Sequence, residues 1–221
     1  MERIPEPELM DDFEQAEAYA KADFSEANAL FVNLFEQHAG DAAYRTVADL
    51  GCGPGDISLA LAERHSVLEV DAVDGSDAML SFARKNLAGK PDLAGRVRFI
   101  NGFIPGVEMP HALYDCIVSN SLLHHLHTPA VMWETVKRFA TPGALVVVMD
   151  LLRPKSKDMA REIVDTYADG DPEVLRRDFY NSLCAAFTPE EISVQLLQAG
   201  LNDLEVRIVS DRHLVVCGYA P

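Results

Sequence analysis

Asp49-Leu50-Gly51-Cys52-Gly53-Pro54-Gly55 is the stretch on which the fold turns. It closes a short apolar run, Thr46–Leu50, and opens a helical pattern at Ile57, Leu59, Ala60, Leu61 and Ala62. A strand, a glycine turn and a helix N-terminus in that order bring backbone N–H groups close to a ligand. Glycine is needed because a side chain would block that approach and because some φ values in the turn would be positive.

Outward from this turn the pattern alternates. Strands are expected at 67–73, 96–100 and 114–119, with helices at 76–86, capped by Ser76 or Asp77, and at 128–140. Thr141-Pro142-Gly143 stops the latter helix, and 144–151 is a continuous apolar run suited to a strand buried on both faces. Alternation of this kind predicts an α/β fold with helices on both faces of a mostly parallel sheet. Two helices are expected within 155–187, and Thr188-Pro189-Glu190-Glu191 reads as a capping box that starts another. Strands at 204–209 and 214–219 are separated only by Ser210-Asp211-Arg212-His213. That gap is too short for a crossover, so they form an antiparallel hairpin. Upstream, Ser25 is the expected N-cap of a helix with an apolar stripe at Leu30, Phe31, Leu34 and Phe35 that ends near Gly40. Trp133, in mid-helix, reads as core.

Composition narrows the function. The 221 residues carry a formal charge of −16, with 48% hydrophobic and 24% charged residues, the balance of a globular protein. Ten acidic and two basic residues fall in 1–40, half of the net charge. This argues against nucleic acid and against an anionic membrane surface as partners, since both are bound through Lys and Arg. No run is apolar enough to span a membrane, and residues 1–6 do not read as a signal peptide. Cys52, Cys116, Cys184 and Cys217 are scattered, which suits reduced thiols and a cytoplasmic location.

Asp74 ends the second strand nineteen residues after Gly55, where an acid can accept both hydroxyls of a ribose. Asp71, three residues earlier, is its rival. The glycine spacing is GxGxG. Asp56 stands where a nicotinamide-binding fingerprint wants a last glycine, which counts against an oxidoreductase. His124-His125-Leu126-His127 invites a metal reading. Adjacent histidines rarely point at one ion and no finger-like ligand spacing follows, so no metal is expected. The plain alternative is a polar loop; the sharper one makes His124 a base toward an acceptor, ahead of His213 and Asp150.

Together VADLGCGPG at 47–55, Ala72-Val73-Asp74-Gly75-Ser76, Asn101-Gly102, the strand ending in Ser119-Asn120 and the Ser121-Leu122-Leu123-His124-His125-Leu126 that follows resemble the class I S-adenosylmethionine-dependent methyltransferases. The resemblance covers roughly 46–152. It implies a Rossmann-like three-layer sandwich, with a seven-stranded sheet closed by an antiparallel C-terminal hairpin. It implies S-adenosyl-L-methionine as cofactor and S-adenosyl-L-homocysteine as product. Gly51, Gly53 and Gly55 would pass beneath the methionine part, with Asp49 near its amino group. Asp74 would hold the ribose beside Gly75, and Met79 or Ser76 would lie near the adenine. An acid usually follows the Asn101-Gly102 pair; here Phe103 stands there and is expected to pack on the ring, with a backbone carbonyl accepting from the amino group. Ser119 and Asn120 would face the sulfonium, Asn120 together with His124 forming the reactive end. Ser119-Asn120-Ser121-Leu122 departs from the Asn-Pro-Pro-Tyr of enzymes acting on DNA or protein amides, which points to a small-molecule acceptor.

One domain is expected over 1–221, with a helical lid at 1–40, a cofactor-binding core at 41–154, a helical cap insert at 155–187, and a final helix and hairpin at 188–221. Tyr19 and Phe24 on the lid, Tyr180 and Asn181 on the insert, and Arg153 just beyond the fifth strand are the expected substrate contacts. Arg153 would grip a carboxylate bidentately. Orientation of the acceptor against the sulfonium could supply most of the acceleration without a base. The alternatives are other uses of the same cofactor, namely intramolecular cyclisation or aminocarboxypropyl transfer, a nicotinamide-dependent oxidoreductase, and a non-catalytic cofactor-binding partner. The sequence neither requires nor excludes a homodimer.

Overall fold

The computed structural model describes residues 1–6, 13–40 and 42–221. Seven strands form one sheet: β1 (Thr46–Leu50), β2 (Glu69–Asp74), β3 (Val97–Asn101), β4 (Tyr114–Asn120), β5 (Ala140–Leu151), β6 (Glu205–Ile208) and β7 (His213–Tyr219). Their order is β3-β2-β1-β4-β5-β7-β6. Pairings from β3 through β5 are parallel, whereas β7 runs antiparallel to both β5 and β6. This is the sheet the sequence implied, with its closing hairpin. β5 begins earlier than the apolar run, because Ala140 already pairs with Tyr114 across a register shift. The preceding helix ends at Phe139 with Ala140 as its C-cap, so Thr141-Pro142-Gly143, expected to stop that helix, lies inside the strand instead.

Eight α-helices accompany the sheet among the described residues: α1 (Phe13–Lys21), α2 (Ser25–Ala39), α3 (Asp56–Arg64), α4 (Asp77–Ala88), α5 (Ala130–Phe139), α6 (Lys157–Tyr167), α7 (Glu173–Ala185) and α8 (Pro189–Ala199). The period of two along β5 divides the core. Leu145, Val147 and Met149 pack with Phe31 and Phe35 of α2 and Leu61 of α3. Val146 and Val148 face the opposite way, onto Trp133 and Val136 of α5 and Ile192 of α8. Trp133 is fully buried and donates its indole N–H to Gln195 at 2.9 Å. A third cluster joins Leu151 to Ala160, Val164 and Leu183 of α6 and α7.

The caps follow the sequence with one correction. Thr188 and Glu191 make the reciprocal capping box of α8, and Ser76 accepts from Met79 N at the start of α4. Ser25, expected as an N-cap, is instead the first residue of α2. The N-cap position falls to Phe24, which makes no side-chain cap bond, while the Asp23 carboxylate accepts the Ser25 N–H at 2.9 Å.

Candidate active site

Strand order reverses between β1 and β4, since the chain leaves β1 toward β2 and β3 and returns on the other side. Open α/β sheets bind ligands outside the carboxyl ends of the strands at such a switch point. A cavity of about 580 Å³ lies there, over the ends of β1, β2 and β4 and beneath α1, α2 and α7.

Its floor is the glycine turn. Gly51, Gly53 and Gly55 have φ of 74°, 51° and 86°. A Cβ on Gly55 would come within 2.6 Å of the Phe99 ring, so both conformation and space demand glycine there. Nothing stands within 4 Å of a Cβ position on Gly53, which opens onto the cavity. The amides of Gly51 and Cys52 both donate to Val73 O, at 2.8 and 2.9 Å, and so tie the turn to β2.

Two carboxylates face this floor. Asp74 accepts Gly53 N on one oxygen and Ser76 N on the other, each at 2.8 Å. Each oxygen retains a second lone pair for a hydroxyl. Burial raises its pKa, although the two amide bonds oppose that shift. Asp49 is 1% exposed and, among the described residues, receives only a 2.5 Å bond from Ser58 Oγ. Burial pushes its pKa up to about 7, with the neighbouring Asp74 charge adding to the rise. A buried carboxylate with one hydroxyl partner and no cation fits a ligand ammonium group. Asp71 is settled otherwise. It sits fully buried among Arg98, His111 and Tyr114, at 2.5, 2.9 and 2.6 Å, outside the cavity. Burial alone would raise its pKa, but those hydrogen bonds outweigh it and hold the carboxyl low.

The remaining sequence-predicted residues divide. Gly75, Ser76, Met79, Gly102 and Phe103 line the cavity. Asn101 does not; its amide donates to Gly75 O at 3.3 Å and fixes the neighbouring turn. Ser119 does not reach the cavity either, because its hydroxyl is spent on Leu50 O at 2.7 Å, clasping β4 to β1. Asn120 does line it, with a buried Oδ1 that has no hydrogen-bond partner among the described residues. Ser121 follows at φ 59°, a strained conformation that turns the chain at the cavity edge.

His124 is 2% exposed. Its amide donates to Asp150 Oδ2 at 2.9 Å and its Nδ1 bonds Asp150 Oδ1 at 2.5 Å. Burial disfavours the imidazolium, yet the Asp150 charge prevails and raises the pKa. Asp150 is the mirror image: burial raises its pKa, but His124 and two amides bring it down. The Nε2 of His124 lies 3.4 Å from Glu6, a residue to which the sequence assigned no role.

Tyr19 and Phe24 stack at 4.6 Å between ring centroids and roof the cavity, as expected. Arg153, Tyr180 and Asn181 do not line it. The Arg153 guanidinium bonds Glu191 at 2.6 Å and Ala186 O at 3.4 Å; among the described residues its buried Nε has no partner, but the side chain lies outside the cavity and is not placed to grip a carboxylate there. Tyr180 lies under Arg161, and Asn181 faces solvent. The cavity face of α7 is Leu175, Asp178, Phe179 and Ser182 instead, the i, i+3, i+4, i+7 stripe of the same helix. Arg212, in the β6–β7 turn, also reaches the cavity, stacked 3.3 Å over the Tyr167 ring. His213 beside it is depressed to a pKa of about 4, chiefly by burial.

Comparison with known proteins agrees with this geometry. Residues 47–143 match the family model described as a methyltransferase domain. An uncharacterised methyltransferase of Mycobacterium bovis is 30% identical over 112 residues, covering 51% of this chain and 53% of that protein. The trans-aconitate 2-methyltransferase of Acidovorax sp. is 31% identical over 128 residues, or 57% and 46% of the two chains. The chain thus spans about half the length of the curated relatives it matches. Among solved structures, a SAM-dependent methyltransferase from Aquifex aeolicus superposes with a TM-score of 0.68 at 19% identity, covering 95% of this chain and 99% of that one. The plantazolicin methyltransferase BpumL, solved with a desmethylPZN analog and SAH, gives 0.70 at 13% identity, over 95% and 90%.

Proposed function

We propose that the chain, whose residues 47–143 match a methyltransferase-domain family model, is a class I S-adenosylmethionine-dependent enzyme that transfers the methyl group of S-adenosyl-L-methionine to a small-molecule acceptor. One observation carries the reading. The glycine turn, Asp49, Asp74 and the unpartnered Asn120 Oδ1 all open into one cavity at the switch point. Asp49 would neutralise the cofactor's ammonium, Asp74 would accept from its ribose, and Met79 and Phe103 would flank its adenine. The bound cofactor supplies an electrophilic methyl on a sulfonium with a neutral leaving group. The protein's own work is to orient and to exclude water. Asn120 and His124, the latter braced by Asp150, hold the acceptor at the reactive end. α1, α2, α6 and α7 act as the cover, with Tyr19, Phe24 and Phe179 as the apolar wall.

The volume of about 580 Å³ suits small ligands. The acidic surface disfavours nucleic acid. Among the described residues no helix is long and apolar enough to cross a membrane. All four cysteines are free and buried, which supports a reducing, cytoplasmic setting.

The test is turnover of methyl-labelled S-adenosylmethionine against a panel of small oxygen, nitrogen, sulfur and carbon nucleophiles. Both S-adenosylhomocysteine and methylthioadenosine are quantified. Label in the acceptor with stoichiometric S-adenosylhomocysteine is the expected result. Methylthioadenosine without labelled acceptor would move the assignment to other sulfonium chemistry.

A further inference from the structure

We propose that Glu6, His124 and His125 form a binding site for a divalent metal ion of the zinc class, with its open coordination position toward the cavity. The sequence argued against a metal because neighbouring histidines seldom converge and no third ligand follows at a regular spacing. The fold supplies that ligand from the opposite direction, a hundred and more residues upstream.

The N-terminal segment is strapped across this end of the molecule. Arg3 donates to Ala185 O at 2.6 Å, to His124 O at 2.8 Å and to Leu126 O at 3.3 Å, with its guanidinium 4.1 Å over the Phe187 ring. Ile4 N bonds Cys184 O at 3.0 Å. The strap brings the Glu6 carboxylate between the two imidazoles, 3.4 Å from His124 Nε2 and 3.4 Å from His125 Nδ1. One donor atom from each residue lies within 4.8 Å of the others. Zinc takes nitrogen and oxygen ligands at about 2.0–2.2 Å in a tetrahedron, so its ligand atoms stand roughly 3.3–3.6 Å apart. Two edges of the triad already have that length.

The surroundings fit as well. Asp150 engages His124 Nδ1 at 2.5 Å, which turns the Nε2 lone pair toward Glu6, the carboxylate–histidine–metal relay of protein metal sites. Ser182 Oγ donates to Glu6 Oε1 at 2.9 Å and holds the carboxylate in place. The side chains of Glu6, His124 and His125 are 10%, 3% and 13% exposed, so the pocket is largely dehydrated. Two histidines and one carboxylate leave a coordination position vacant in open, ligand-accepting sites. His124 and His125 both line the cavity, so that position would take an oxygen, sulfur or nitrogen lone pair of the acceptor. The site rests on these side chains and stands independently of the cofactor assignment.

The experiment uses the full chain, stripped with chelator, dialysed and titrated with zinc chloride by calorimetry. Retained metal is counted by elemental mass spectrometry after gel filtration. About one zinc per chain is expected. Glu6→Ala and His125→Ala should each weaken binding at least tenfold, and Asp150→Asn by roughly 10- to 100-fold as an outer-shell partner. The exposed Glu134→Gln should bind as the wild type does. Thermal melting and S-adenosylhomocysteine titration of each variant report that the fold is intact. Absence of zinc uptake by the wild type would overturn the proposal, as would undiminished uptake by both ligand variants. Zinc uptake without S-adenosylhomocysteine binding would uphold this site while counting against the cofactor reading.

Discussion

At Asp49 the protein holds an electrostatic cost that a bound cation relieves. The carboxyl titrates near 7 in the fold against 3.8 ordinarily. Between those values the unfolded chain releases the proton first, so ligand-free stability falls as pH rises through the window and then levels off. An ammonium beside Asp49 would bring its pKa down again. S-adenosylhomocysteine affinity should therefore rise by roughly tenfold from pH 6 to pH 8. In Asp49→Asn that pH dependence should vanish, the affinity should drop, and the ligand-free protein should melt higher at pH 8. Calorimetry and melting curves at both pH values check this. Arg153→Met tests the opposite kind of residue. Its guanidinium pairs with Glu191 outside the cavity, so acceptor KM should be unchanged while the melting midpoint falls. Asp49, Asp74 and the glycines were legible because their order along one strand–turn–helix unit fixes their place. Arg153 and Ser119 were misread for a common reason: the position beyond a strand end is predictable, but the partner that captures the side chain comes from a distant element.

Helix faces and turns carry the next level of the account. In α7 the cavity receives Leu175, Asp178, Phe179 and Ser182, whereas the sequence pointed to Tyr180 and Asn181. Residue type suggested those two, but periodicity decides which side chains share a face. The helix itself was legible; its rotation about its own axis depends on Leu183 and Cys184 packing inward. Phe179→Ala should raise acceptor KM several-fold with S-adenosylhomocysteine affinity unchanged, and Asn181→Ala should change neither. Steady-state kinetics on the two variants separate the faces. Gly55→Ala probes the turn. A φ of 86° and a 2.6 Å approach to Phe99 should cost about 1–3 kcal/mol. At roughly 2–4 °C per kcal/mol for a chain of this size, the midpoint should fall by several degrees.

For the molecule as a whole, charge and topology act together. The net −16 is spread so that Asp23, Glu26, Asp56 and Asp171 rim the same cavity that Asp49 and Asp74 floor. Such a field attracts a sulfonium more than its neutral thioether. S-adenosylmethionine association should slow with added salt, and S-adenosylhomocysteine association should do so less, as stopped-flow binding would show. The alternation of strands and helices and the closing hairpin were legible from strand spacing and connection length, whereas the order of the strands in the sheet was not read from them. The strap of residues 1–6 was not, because nothing local marks a segment that docks on residues far away in the chain. The most direct test of the central claim is a calorimetric titration of S-adenosylhomocysteine into the wild type and into Asp74→Ala, with NAD(H) run alongside. The account predicts one site per chain, at least tenfold weaker in the variant through loss of hydrogen bonds to a charged group worth about 1.5–3 kcal/mol, and no response to NAD(H). Binding of NAD(H) without S-adenosylhomocysteine, or of S-adenosylhomocysteine equally to both proteins, would contradict it.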